Sequence, residues 1–572
     1  MDIEKKFTPL EIAPALARPR GLWGGLFLTG LTPRFIKYSL LAIVILAFVL
    51  RFWGVWDKDM IGDEAAYSFR SAGYLDYLGT SSQTQPVEWY KGTELPFWTK
   101  LSFHDHPPLT FVVQNVFFRI FGDSLWSARL PSAIFGSLSA ILIYLIANIL
   151  FGSAFLGLLA ALLFGLNNGL IAISRTALME PVLLFFVLAN IYSFFRAKEN
   201  KNWWWIFGVT LGLAFLAKYT AIFLIPLYFV YFILFERKSF KAGGLYLSLF
   251  LTASIFSPVL IYNYFLFRAT GHFDLQFSYF LGQATPEWSG LLGKTQDGFG
   301  DIIKNLLGTF GLVDLLLFSG GFIYSLFAFK KEKSRGLAFT FLYLIVLTLF
   351  LAKIGSAARF LALYGPVFAV LSALFIRFLW QFSGEKAGIW FKTIAVILVV
   401  SALCFSIREN LLRRDVNNFG IAGLDNFLGQ EIDGINSAFV PQTDNRHLNE
   451  IIGEAAADKT DGIQRPVLIV YNDNVAITTL QWIVYRRFFY HALPFYYVEN
   501  FIGAVNKDPQ GLRGTLVYFI QNTQNTLLNP FKKDKTAGDI FEKDLVRQGI
   551  APVKIIYGNN SLEMFRVYKF SL

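Results

Sequence analysis

Residues 40–64 read LLAIVILAFVLRFWGVWDKDMIGDE, an apolar run ending at Leu50, a short aromatic and polar stretch, and then two adjacent acids, Asp63 and Glu64. No small-residue cleavage site follows the run, so it reads as an uncleaved first membrane span. Ahead of it stand Lys5, Lys6, Arg18, Arg20, Arg34 and Lys37. That basic flank places the N-terminal segment 1–35 in the cytoplasm and sends Trp56 onward to the other side. Residues 57–107 follow as a long polar outer loop.

The remainder confirms the solvent. Of 572 residues, 55% are hydrophobic, 17% aromatic and 16% charged, against about 25% charged in soluble domains. A mean hydropathy of +0.48 excludes a cytosolic enzyme, a disordered chain or a small disulfide scaffold. Further apolar runs near 127–150, 154–174, 180–196, 203–221, 222–236, 243–267, 302–328, 337–353, 360–382 and 391–407 bring the expected total to about eleven spans, each measured against ~30 Å of hydrocarbon. With that parity Arg196/Lys198/Lys201, Arg237/Lys238/Lys241, Lys330/Lys331/Lys333/Arg335 and Lys386/Lys392 all fall in cytoplasmic loops. The net charge of +11 therefore reflects topology, and no nucleic-acid partner is expected. Leu109 to Phe121, apolar but broken by Gln114, Asn115 and Arg119, reads as an interfacial or re-entrant helix within an outer loop 57–126, because a span there would invert the charge pattern. Cys404 stands alone, which excludes an internal disulfide.

Residues 36–408 thus form a polytopic α-helical domain, and 409–572 a polar extracytoplasmic domain of ordinary single-domain size. Pro466 to Tyr471, Thr515 to Ile520, Val553 to Tyr557 and Leu562 to Tyr568 read as strands, the last two joined by a turn at Gly558-Asn559-Asn560. Helices are expected near 446–457, 475–490 and 538–548, giving a small α/β domain. It carries no phosphate loop or acid pair, so a structural, lid or acceptor-docking role is expected of it.

Ionisable groups near a membrane are costly, and here they gather at the outer span ends. Asp63, Glu64, His104, Asp105, His106, Arg175, Glu180, Lys218, His272, Asp274, Lys353 and Arg359 all fall there. A transporter would instead place charges or broken helices at the midplane. Each element has a bland reading: a solvated acid pair, a structural Arg175–Glu180 pair, or basic side chains snorkelling to lipid head groups. Convergence on one face favours a site. Carboxylates with cations suit glycosyl transfer from a lipid-linked sugar phosphate, where a base takes the acceptor proton and cations meet the charge growing on phosphate.

The motifs, in order, resemble the membrane-embedded GT-C glycosyltransferases, in particular protein O-mannosyltransferases and lipid A aminoarabinose transferases. Gly62-Asp63-Glu64-Ala65-Ala66-Tyr67 is similar to their Asp-Glu motif after the first span. His104-Asp105-His106-Pro107-Pro108-Leu109 resembles the His-Pro-Pro-Leu element, and Ser174-Arg175-Thr176-Ala177-Leu178-Met179-Glu180 the element carrying a second acid. Ala217-Lys218-Tyr219-Thr220 and Ala358-Arg359-Phe360-Leu361 resemble later elements. The resemblance covers roughly 35–405 and implies an inverting transferase with a polyprenyl-phosphate sugar donor and a hydroxyl-bearing acceptor. It implies Asp63 as base, Glu64 and Glu180 as accompanying catalytic acids, and Arg359, Lys353, Lys218, Arg175 and His106 at the donor phosphate. Asp105 with His104 and His272 could hold a divalent ion such as Mg, Mn or Zn. A lipid or solute transporter, or an oligosaccharide polymerase or ligase, are the alternative readings.

Overall fold

The computed structural model describes residues 31–76, 85–283, 298–332, 334–381, 388–412, 418–459, 464–472, 481–524, 537–558 and 561–572. The first helix, Pro33–Phe52, begins at Thr32, whose hydroxyl accepts from the Phe35 N–H at 3.2 Å, with proline at the first helical position. Leu41, Ile45 and Val49, four residues apart, are exposed along one stripe, while Ala47, Leu50 and Arg51 are buried.

Among the described residues eight helices are long and apolar enough to cross a bilayer: Pro33–Asp57, Leu125–Phe151, Glu180–Glu199, Gly243–Thr270, Leu312–Lys331, Arg335–Ile354, Phe360–Gln381 and Gly388–Leu412. Ala154–Leu166 and Asn168–Ser174 make a further, broken one, bent by 57°. The break is local chemistry: Asn167 leaves helical geometry and its side chain caps the second piece, accepting from the Leu170 N–H at 3.0 Å. The chain is a multi-pass membrane protein. The expected spans at 203–221 and 222–236 are shorter helices, Trp204–Ala217 and Leu224–Phe235, because Lys218 is extended and Tyr219–Phe223 forms a tight 3-10 turn.

Trp204–Ala217 nevertheless packs along two of the long helices. A Cβ on Gly208 would lie 2.5 Å from the Ser248 carbonyl oxygen, and one on Gly212 2.8 Å from Ile255, so two glycines one turn apart admit Gly243–Thr270 to backbone contact. Ser248 and Thr252 hydroxyls donate across this seam to the Trp204 and Phe207-adjacent Gly208 carbonyls at 2.7 and 3.0 Å. Asn190 binds the other side, donating to the Phe207 carbonyl at 2.9 Å and accepting from the Tyr228 hydroxyl at 2.7 Å. At one end of these helices Glu236 pairs with Lys198 at 2.7 Å and Arg335 at 3.3 Å. At the other end stand Glu180 and Lys218. Leu109–Phe121 has 13 residues; Gln114 and Asn115 face Gly62–Gly73 by donating to Ser68 and Ser71, and Val112, Val116 and Ile120 are exposed.

The C-terminal region is built on a mixed sheet of five strands: β1 Val467–Tyr471, β2 Phe495–Tyr497, β3 Leu516–Asn522, β4 Pro552–Tyr557 and β5 Glu563–Ser571, in the order β2-β1-β3-β5-β4. β1, β2 and β3 are parallel, and β5 runs antiparallel to both neighbours. The strands expected at 466–471, 515–520, 553–557 and 562–568 are β1, β3, β4 and β5, and Arg446–Ala457 and Ala537–Arg547 are helices. The expected helix at 475–490 lies partly outside the described residues, as do Asn559 and Asn560 of the turn. This region does not stand apart: Ile421, Leu424, Ile469 and Trp482 share one core with Met60, Ala65, Phe118, Leu125 and Ala128. Asp59 caps helix Ile421–Glu431, accepting from the Phe419 N–H and, at 2.8 Å, from Ala422.

Candidate active site

Four helix ends converge on one face. Helix Gly62–Gly73 starts at Gly62, whose φ of +58° is the left-handed region that glycine adopts without cost, and it presents Asp63 in its first turn. Glu180 opens helix Glu180–Glu199, Lys218 caps the end of Trp204–Ala217, and Arg359 precedes the turn Phe360–Tyr364. Acid at an N-terminus and base at a C-terminus both suit the helix dipoles. Lys218 Nζ lies 2.5 Å from Glu180 Oε1, and Arg359 Nε lies 3.9 Å from the same oxygen. Arg359 also pairs with Asp63. Both cations sit over the Phe360 ring, at 4.9 Å for Lys218 and 5.1 Å for Arg359. Glu180 is 1% exposed and its Oε2 has no hydrogen-bond partner among the described residues, whereas the Asp63 carboxylate is 48% exposed. The buried acid gathers the cations and the exposed one is reachable from solution.

Glu64, the neighbour, does something else. Arg129 donates to its carboxylate from Nε at 2.6 Å and Nη2 at 3.0 Å, and the Ala177 N–H donates to Oε1 at 2.7 Å. Arg129 also donates to the carbonyls of Val55, Lys58 and Asp59. Every oxygen of Glu64 is spent on holding the loop before Glu180 against the first helix of the site, so its place is positional.

The remaining expected residues divide. Arg175 is turned away, buried and donating to the Leu50 carbonyl at 2.9 Å, where it satisfies the end of the first span. Lys353 is exposed in the last turn of Arg335–Ile354. His106 is beside the site but not as a cation: burial, Lys218 and Arg70 hold its pKa below the usual imidazole value although Asp105 lies 2.9 Å away. The three groups expected to share a divalent ion do not converge. Asp105 accepts from Arg70 at 2.7 Å, His104 Nδ1 lies 2.8 Å from Asp76, and His272 Nδ1 lies 2.8 Å from the Phe273 carbonyl. Among the described residues no three His, Cys, Asp or Glu side chains are grouped to hold a metal. The donor set therefore does not fit that ion.

Tyr67, Arg70 and Arg129 were not singled out from the sequence. Tyr67 and Arg70 follow Asp63 at i+4 and i+7, the helical spacing that puts them on its face; Arg129 sits in an apolar helix 65 positions from Glu64, with no local signal.

Comparison with known proteins shows what the chain is similar to. Residues 105–262 match the family model described as dolichyl-phosphate-mannose-protein mannosyltransferase. Over 156 residues, 26% of the chain, it is 33% identical to a Bacillus subtilis (strain 168) protein named "Putative mannosyltransferase YycA". Over 153 residues it is 25% identical to the undecaprenyl phosphate-alpha-4-amino-4-deoxy-L-arabinose arabinosyl transferase of Yersinia pestis (strain Pestoides F). The matched stretches span only 23% and 28% of those two proteins. The fold is like that of the Archaeoglobus fulgidus oligosaccharyltransferase AglB, solved with an inhibitory peptide and a dolichol-phosphate: TM-score 0.52, 14% identity, 80% of this chain and 64% of that one. The resemblance to GT-C membrane glycosyltransferases carried by the motifs is borne out in sequence and in fold.

Proposed function

We propose that this protein is an inverting glycosyltransferase that moves a sugar from a polyprenyl-phosphate donor to an acceptor hydroxyl on the non-cytoplasmic membrane face. The observation that carries the reading is an exposed carboxylate, Asp63, paired with Arg359 beside a buried one, Glu180, that gathers both Arg359 and Lys218. The acceptor oxygen attacks the anomeric carbon as the bond from that carbon to the phosphate oxygen breaks; the electron pair leaves with phosphate and the acceptor proton passes to Asp63. Lys218 and Arg359 meet the charge that develops on phosphate, and Arg359 offers it a bidentate face. Relatives named for undecaprenyl-phosphate and dolichyl-phosphate sugars support the donor class.

The sidedness follows from charge. Lys198, Glu236 and Arg335 cluster at the end opposite the site, where the basic loops expected in the cytoplasm also lie. Trp204–Ala217 runs between that end and the site, which supports counting it and Leu224–Phe235 as crossings and brings the total to eleven. The C-terminal region then lies extracytoplasmic. Purified protein incubated with a panel of polyprenyl-phosphate sugars should consume one of them, read by mass spectrometry, and Asp63→Asn should not. If no panel member is consumed, or if the variant transfers like wild type, the reading fails.

A further inference from the structure

Tyr67 stands one turn beyond Asp63 and is buried at 5% exposure, with Glu180 and Asp105 as its charged neighbours. Its hydroxyl lies 3.3 Å from His106 Nε2, and the two rings meet edge to face at 5.2 Å. Asp105 lies 2.9 Å from the other ring nitrogen of His106 and is itself fixed by Arg70, which donates to both of its oxygens at 2.7 and 3.3 Å. Arg70 is packed between the Phe103 and Phe111 rings, at 4.7 and 4.8 Å, and donates also to Asp76 at 2.9 Å. Asp76 accepts in turn from the His104 N–H at 2.7 Å and from the Tyr262 hydroxyl at 3.3 Å. Arg70 thus holds both Asp105 and Asp76, the carboxylates beside His106 and His104.

The direction of the hydrogen bonds follows. The Asp105 charge, 2.9 Å from Nδ1, favours the proton on that nitrogen and leaves Nε2 the acceptor, and in that tautomer the phenol donates to it. With its one proton spent on His106, the Tyr67 oxygen has only lone pairs to offer. Lone pairs repel a phosphate oxygen and accept from a hydroxyl, and donation to His106 makes the phenol oxygen a better acceptor.

We propose that Tyr67 contacts substrate as a hydrogen-bond acceptor for a hydroxyl of the transferred sugar, and that His106, Asp105 and Arg70 are positioning residues that orient it. This rests on the glycosyl-transfer reading of the site. The recognised chemistry is the sugar's own O–H, which separates Tyr67 from Lys218 and Arg359 at the phosphate.

The test compares two ligands on Tyr67→Phe, which keeps the ring and removes the oxygen: undecaprenyl phosphate without sugar, and the panel sugar donor that wild type turns over. The expected result is sugar-donor binding and KM weakened about 3- to 10-fold, the size of one neutral hydrogen bond, with the sugar-free lipid bound as by wild type, which also reports a folded site. His106→Phe should reproduce this loss, His106→Gln should retain part of the binding, and Tyr67→Phe with His106→Phe should be no worse than either alone. Equal weakening for both ligands, or additive losses in the double variant, overturns the assignment. A wild type that binds undecaprenyl phosphate yet consumes no sugar donor would instead sink the transferase reading, and this inference with it.

Discussion

Asp63 and Glu64 are adjacent acids of the same motif, and the structure assigns them opposite signatures when each is replaced by its amide. The Glu64 carboxylate and the Arg129 guanidinium are 6% and 1% exposed, so breaking them is the loss of one partner of a buried pair, about 3–5 kcal/mol in general. In Glu64→Gln the cost is smaller, because Arg129 keeps its three backbone carbonyls and the amide oxygen can still accept from Ala177. Roughly 2–3 kcal/mol remains, which at about 2–4 °C per kcal/mol in mid-sized domains is an apparent melting loss of ~4–12 °C. Asp63 is 48% exposed, and an ion pair at such exposure is worth about 0–1 kcal/mol, so Asp63→Asn should melt within ~4 °C of wild type. Transfer should show the reverse order: Asp63→Asn loses about 10²–10⁴ in single-turnover rate, as expected for a general base, while folded Glu64→Gln stays within roughly tenfold. Thermal unfolding in detergent with single-turnover transfer on the same preparations decides it. If Glu64→Gln melts like wild type and is as inert as Asp63→Asn, Glu64 is a chemical acid and the positional argument is wrong.

Arg359→Ala should weaken undecaprenyl-phosphate binding by about tenfold or more, as expected for a charge-assisted contact, whereas Arg175→Ala should leave affinity unchanged and lower the melting temperature, because the Leu50 carbonyl loses its donor. Equal affinity losses would return Arg175 to the phosphate. Because Asp105, His104 and His272 are engaged separately, transfer should persist in a chelator; abolition that added Mg, Mn or Zn restores would place an ion elsewhere in the site. Burial pushes the Asp274 carboxyl up to about 6, against an ordinary value near 4. A raised carboxyl contributes stability at acid pH and loses it on ionisation, so wild type should fall in melting temperature relative to Asp274→Asn as pH rises from about 4 through about 6, then stay parallel; a constant difference from pH 4 to 8 would refute the shift.

What was legible in the sequence and what was not divides along physical lines. Spans such as Leu125–Phe151 announce themselves because lipid imposes a length and a composition. The strands β1 and β3 do so by buried β-branched and aromatic runs. The edge strand Phe495–Tyr497, three residues long, is too short for alternation to register. Trp204–Ala217 was expected to be longer because apolarity continues through Tyr219–Phe223, and only the extended backbone at Lys218 ends it. For the site, Asp63, Glu180, Lys218 and Arg359 are legible as charges at span ends, a one-dimensional signal, and the structure brings the four side chains together. Arg175 gave the same signal and faces a backbone carbonyl, since hydropathy cannot tell a cation that meets a ligand from one that ends a helix.

A half-exposed carboxylate can be placed accurately only by the backbone that carries it, so what holds helix Gly62–Gly73 determines what Asp63 can do. One side is tied by Glu64 to Arg129 and the Ala177 loop. Another belongs to the C-terminal region: Phe69 packs on Phe489 and Tyr490, and a Cβ on Gly73 would lie 1.9 Å from the Tyr490 ring. The residues just before the helix are tied as well, because Asp59 caps Ile421–Glu431, and just after Leu109–Phe121 Asp123 accepts at 2.8 Å from His491 across the same boundary. Among the described residues the C-terminal region brings none to the Asp63–Glu180 cluster, yet its helix Arg486–Tyr490 supplies one wall of the seat on which that cluster depends. On the proposed glycosyl-transfer reading that contribution is mechanical, and substitutions at Tyr490 should lower the single-turnover transfer rate through the placement of Asp63 while leaving Lys218 and Arg359, and with them undecaprenyl-phosphate affinity, unchanged.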